Sequence, residues 1–200
     1  MRVSPSQLLG EVGLVVGGRM KWGTLPKEGK PGVYVVSRSC EPSVGRVEAV
    51  SAPIDRGAVR KWIERRGEGI RLDGKRATNQ GIVDLLSEFW LADASVVYIG
   101  MTKLNMRKRM WELYRYELGE RSMGRGGGWL HTLENKGDLW VHYGVEDLGL
   151  VAKEMHKAGL DYFVKENEGR LPYANLAYWD GRRKQGRLRG EVMSWKRTRV

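Results

Sequence analysis

Two short runs of β-branched and aromatic residues, Val33-Tyr34-Val35-Val36-Ser37 and Ser95-Val96-Val97-Tyr98-Ile99, constrain the fold of this chain most. Each has the length and composition of a buried strand, the first opened by Pro31-Gly32 and the second closed by Gly100. Strands this apolar need cover, and it is written between and after them at helical spacing. Asp55 caps a segment with Val59, Trp62 and Ile63 on one face. Thr78 or Asn79 caps a second, in which Ile82, Leu85, Leu86, Phe89 and Trp90 recur until Ala92-Asp93. Leu104 to Tyr116 carries a stripe of Met106, Met110 and Leu113, with Arg109 at its border. Val151 to Lys165 carries another, of Ala152, Met155, Gly159, Tyr162 and Phe163, and stops at Gly169. Leu139 to Tyr143 alternates like a third strand. The elements predict an α+β chain. The tryptophans at 62, 90, 111, 129 and 140 fall on these segments, which predicts that most are core.

At 200 residues and 41% hydrophobic content the chain can bury one core. No window approaches the roughly 18 consecutive apolar residues of a membrane helix, and glycines interrupt the first twenty positions where a signal peptide would be apolar. The expectation is a cytoplasmic protein with no membrane partner. The single cysteine, Cys40, excludes an internal disulfide and a thiolate cluster, and with three histidines it leaves metal chemistry to oxygen ligands.

Thirty-five basic against 24 acidic residues give a net charge of +11. Phosphate is the natural partner for such a surface, because each Lys or Arg that meets one releases condensed counterions. More than half of the excess sits in the last 21 positions, where eight basic residues, among them Arg182, Arg183 and Lys184, face Asp180 and Glu191. This is the composition of a nucleic-acid arm and equally of a solvated terminus. Trp179 and Trp195 beside it could stack on exposed bases.

One strand begins Gly32-Val33-Tyr34, the other ends Tyr98-Ile99-Gly100, and an arginine-bearing helix follows directly. This pair resembles the signature of the GIY-YIG nuclease superfamily, and further matches follow in order. Asn105-Met106-Arg107-Lys108-Arg109 resembles the family's helix segment with its catalytic arginine. Gly126-Gly127-Gly128-Trp129-Leu130-His131 resembles its glycine-rich stretch before a histidine, and Leu171-Pro172-Tyr173-Ala174-Asn175 its terminal asparagine motif. The resemblance covers about residues 30 to 178. It implies a small three-stranded antiparallel sheet flanked by helices, over 31–178. A helical insertion at about 40–93 separates tyrosines that are usually close, as in superfamily branches that include restriction enzymes. Residues 1–30 form an N-terminal extension and 179–200 a basic tail.

The resemblance implies a metal-dependent DNA endonuclease, possessing Tyr34, Tyr98, Arg109, His131, Glu154 and Asn175 as site residues. One tyrosine takes the proton of the attacking water, Tyr34 being favoured, and the other orients it. Arg109, whose planar fork suits two phosphate oxygens, clamps the scissile group, with Arg107 as rival. His131 assists proton transfer or binds phosphate, and Asn175 holds local geometry. Glu154 holds one Mg²⁺, or another divalent cation such as Mn²⁺, with Asp161 as the alternative. Lys103, Arg107, Arg125, Arg182, Arg183 and Lys184 are the expected nucleic-acid contacts. The partner is DNA, expected as duplex, and a homodimer is one way for a single centre per chain to cut both strands. The other reading is a protein of the same fold that binds DNA or RNA without cutting.

Overall fold

The computed structural model describes residues 2–27, 29–66, 71–72, 75–118, 127–145 and 152–175. The strands are β1 (Gly18–Lys21), β2 (Gly32–Ser37), β3 (Arg71–Leu72), β4 (Lys75–Arg76), β5 (Val96–Thr102) and β6 (Trp140–Val145). The helices are α1 (Pro5–Glu11), α2 (Arg56–Arg66), α3 (Asn79–Glu88), α4 (Met106–Arg115) and α5 (Ala152–Glu166), with short 3₁₀ turns at Gly128–Thr132, Lys136–Asp138 and Tyr173–Asn175. β1, β6, β2 and β5 form one antiparallel sheet in that spatial order, and β3 and β4 form a separate hairpin.

The α+β expectation holds, but the sheet has four strands where three were expected. The added strand, β1, comes from the N-terminal extension and pairs Gly18–Lys21 with Tyr143–Trp140 of β6. The extension also supplies α1, started by a reciprocal capping box between Ser4 and Gln7. Leu8, Leu9, Val12 and Leu14 then join Leu160 and Phe163 of α5 over Val33, Val35 and Ile99.

On the opposite face of the sheet lie α2, α3 and α4, which bury Trp62, Ile82, Leu86, Met106 and Met110 against Tyr34, Val36, Tyr98 and Val141. β2 is therefore covered on both sides, and all six of its residues are buried. That is the environment its unbroken apolar run demands. The caps read from the sequence are present: Asp55 accepts from the Ala58 amide at 2.9 Å and Thr78 from that of Gly81 at 3.0 Å.

Tyr34 and Tyr98, 64 positions apart in the chain, come together because β2 and β5 pair directly: Tyr34 faces Gly100, and Val36 faces Tyr98. Next in register Ser37 faces Val96, so Val97 is an extra, bulged residue. The bulge lies beyond Tyr98, which is two residues from Gly100 in unbroken register and so shares the α4 side of the sheet with Tyr34. Among the described residues no helix is long and apolar enough to cross a membrane.

Candidate active site

Three glycines let the two phenols approach one another. A Cβ on Gly100 would overlap the ring and hydroxyl of Tyr34, which lies across β5 at that point. A Cβ on Gly127, which stands at φ +83°, would crowd Leu113 and the Tyr98 ring. Gly32 lets β2 close on β6, since a Cβ there would strike the carbonyl of Gly144. With these spaces kept, the rings of Tyr34 and Tyr98 sit 5.8 Å apart at 54°, both almost wholly buried.

α4 brings the cation. The Thr102 hydroxyl accepts from the amides of Leu104 and Asn105, and the Asn105 side chain caps the helix by accepting from the Lys108 amide at 2.9 Å. This tight turn starts α4 beside the end of β5. Arg109 then flanks the buried stripe of Met106 and Met110, and its Nε donates to the Tyr34 hydroxyl at 3.1 Å. Burial opposes the guanidinium charge, but the oxygens of Tyr34 and Tyr98 outweigh it and raise the pKa, so the group stays charged. Burial, with Tyr34 adding to it, lifts the Tyr98 phenol well above its ordinary value despite Arg109. Tyr98 keeps its proton.

Arg109 and Tyr98 open onto a hollow of about 560 Å³ beside β5, lined also by Lys103, Lys108, Glu112 and His156. Asn175 borders the same strand from outside. Its Oδ1 accepts from the Ile99 amide and its Nδ2 donates to the Ile99 carbonyl, both at 2.8 Å, so a side chain replaces the neighbour that an edge strand lacks. His156 Nε2 donates to the same carbonyl at 3.0 Å.

Tyr34, Tyr98 and Arg109 are thus together, with Asn175 fixing the strand that carries Tyr98. Two expected members are elsewhere. Glu154 is exposed, half a turn around α5 from His156, and Asp161 shares that outward side. The inward side of α5 is taken by Ala152, His156, Gly159, Leu160 and Phe163, so neither carboxylate faces the strand, and the one lining the hollow is Glu112. His131 is buried between the rings of Trp22 and Tyr116, and its Nε2 donates to the Leu113 carbonyl at 2.9 Å. Burial lowers its pKa to about 4, which makes it a neutral structural group.

Arg107 donates to the Pro26 carbonyl at 3.1 Å and ties the loop before β2 to α4, away from the phenols. Lys103 lines the hollow. Arg125, Arg182, Arg183, Lys184, Trp179 and Trp195 lie outside the described residues. Trp111, one of five tryptophans of which most were expected in the core, is 48% exposed.

Glu112 and His156 were not among the expected site residues. Glu112 had a usable signal: three residues after Arg109 on a helix, it stands one turn along the same edge. His156 shares the periodic face of Ala152 and Phe163, but its hydrogen bond to Ile99 depends on tertiary placement. Among the described residues no group of three or more His, Cys, Asp or Glu side chains is arranged to hold a metal. No protein-family model, curated protein or solved structure matches the chain.

Proposed function

We propose that this protein is a phosphodiester-cleaving nuclease of the GIY-YIG type acting on DNA. One observation carries the reading: a charged, partly buried guanidinium touches one of two adjacent phenols at 3.1 Å and lines a hollow that Lys103 and Lys108 also line. Arg109 binds the scissile phosphate and offsets the charge that builds on its oxygens. Tyr34, whose hydroxyl the guanidinium contacts, takes the proton of the attacking water. Tyr98 keeps its proton and orients the water. Lys103 and Lys108 draw the strand towards the hollow.

The donor set suits a hard cation only in part. Glu154 does not fit, being turned outward, whereas Glu112 offers a carboxylate in the hollow with room for water, the ligands Mg²⁺ or Mn²⁺ prefers. When bound there, the ion supplies charge neutralisation at the phosphoryl and leaving oxygens.

Plasmid scission with Mg²⁺ is the test. Tyr34→Phe and Arg109→Ala are expected to lower the rate at least ~100-fold, Glu112→Gln to lower it comparably, and Glu154→Gln to leave it within a few fold. Normal cutting by Arg109→Ala would remove the reading, and normal cutting by Glu112→Gln with loss in Glu154→Gln would return the ligand to α5. A second reading, binding of DNA or RNA without scission, is favoured by the histidine that α5 presents to β5 in place of a carboxylate. Tight binding with no metal-dependent cutting would establish it.

A further inference from the structure

The outward side of α4 carries a line of alternating character. Lys108, Trp111 and Arg115 follow one another at spacings of three and four, which places them in a single row along the helix, and Leu104 stands in the turn just before its cap. Leu104 is 82% exposed and Trp111 48% exposed, two of the four large hydrophobic side chains that are exposed among the described residues. The Arg115 guanidinium lies over the Trp111 ring, 4.7 Å from its centroid. The row starts at the candidate active site, since Leu104 and Lys108 line the same hollow as Arg109.

Apolar faces alternating with cations match a strand of nucleic acid in which bases alternate with phosphates. An indole can stack only on a base face that is free, and in an uninterrupted duplex each base face is covered by its neighbours. An anionic membrane surface also attracts Leu, Trp, Lys and Arg, but it needs a broad apolar face, and the broad apolar face of α4, with Met106, Met110 and Leu113, is buried against the sheet. We propose that this row is the track for an unpaired segment of the substrate, with Trp111 stacking on a base next to the phosphate held by Arg109. The substrate class is then nucleic acid with a single-stranded stretch beside the cut, in place of continuous duplex. The inference rests on the nuclease reading and adds the substrate's shape to it.

Binding of the full-length protein in EDTA, followed by fluorescence anisotropy, separates the cases. The probes are one labelled oligonucleotide as blunt duplex and the same duplex with a single-stranded tail. The tailed probe is expected to bind more tightly. Trp111→Ala should weaken it by roughly 5- to 100-fold, the range for loss of one stacked base, and leave the blunt duplex unchanged. Trp111→Phe should keep most of the preference. Because stacking is not ionic, the Trp111→Ala loss should be the same at about 50 and 200 mM salt, whereas Lys108→Gln should lower the salt slope by about one.

Equal effects of Trp111→Ala on both probes, or no effect on either, would overturn the track and leave the nuclease reading standing. Trp111-dependent sedimentation with phosphatidylserine vesicles, without a preference for the tailed probe, would overturn it in favour of a membrane surface. Failure of the wild-type protein to bind either probe would overturn the track and the nuclease reading together.

Discussion

At the scale of single residues, the tyrosines are defined by the glycines that leave them room. Tyr34 faces Gly100 across the β2–β5 pair and lays its ring where a Cβ at position 100 would stand, so the glycine and the phenol form one steric unit. An aromatic side chain covering a cross-strand glycine also fills the space the missing side chain leaves. Gly100→Ala is therefore expected to destabilise the protein by about 1–3 kcal/mol, the usual cost of overpacking. It should also separate the Tyr34 hydroxyl from Arg109. The cost should nearly vanish in a Tyr34→Ala background, where the ring that the new methyl would strike is gone. Urea denaturation of the two single variants and the double variant measures this coupling, and an additive result would show that the ring does not depend on the glycine.

At the scale of elements, β5 is an edge strand whose outer side is closed by two side chains. The Asn175 amide completes both hydrogen bonds of Ile99, and His156 adds a second donor to the carbonyl. Asn175→Ala leaves the buried Ile99 amide without an acceptor while its carbonyl keeps His156, and the expected loss is about 2–3 kcal/mol. Hydrogen exchange gives a local readout: the Ile99 amide should lose protection in Asn175→Ala more than its neighbours do. Protection that survives the substitution would rule out this role.

The same scale shows what the sequence could express. β2 and β5 announce themselves as unbroken apolar runs buried on both faces, β6 by its alternation, and the four longer helices by buried faces that repeat with the helical period. β1 does not, since Gly18-Arg19-Met20-Lys21 buries only Met20 and owes its pairing to β6, a contact with no local signal. β3 and β4, two residues each, are too short to show a period. Position 111 stands off the stripe of Met106, Met110 and Leu113, so the helical period already pointed Trp111 outward. It likewise put Glu154 opposite Ala152, Gly159 and Phe163. There the resemblance to a motif outweighed a geometric signal that was present.

At the scale of the whole molecule, the three histidines act as ties between segments distant in the chain. His131 donates to Leu113, His142 to Ser39 and His156 to Ile99, each through Nε2 to a backbone carbonyl. All three are buried, and burial lowers the pKa of each. A histidine whose pKa is lower folded than unfolded binds its proton first in the unfolded chain. Its contribution to stability is therefore complete above the unfolded value near 6.5 and is lost as the pH falls through the folded value. For His131, with a folded value of about 4, the window runs from pH 6.5 to about 4, and the loss is roughly 3 kcal/mol. Unfolding free energy from urea titrations should thus drop steeply on mild acidification. Near pH 5 His131 adds up to about 1.4 kcal/mol per pH unit to the slope, and His142 and His156 act in the same direction. His131→Gln, which cannot titrate, should lower stability at pH 7 yet flatten the slope by about one histidine's share. If the variant kept the wild-type slope, His131 would be taking up its proton as readily in the folded protein as in the unfolded chain, and its buried place between Trp22 and Tyr116 would be wrong.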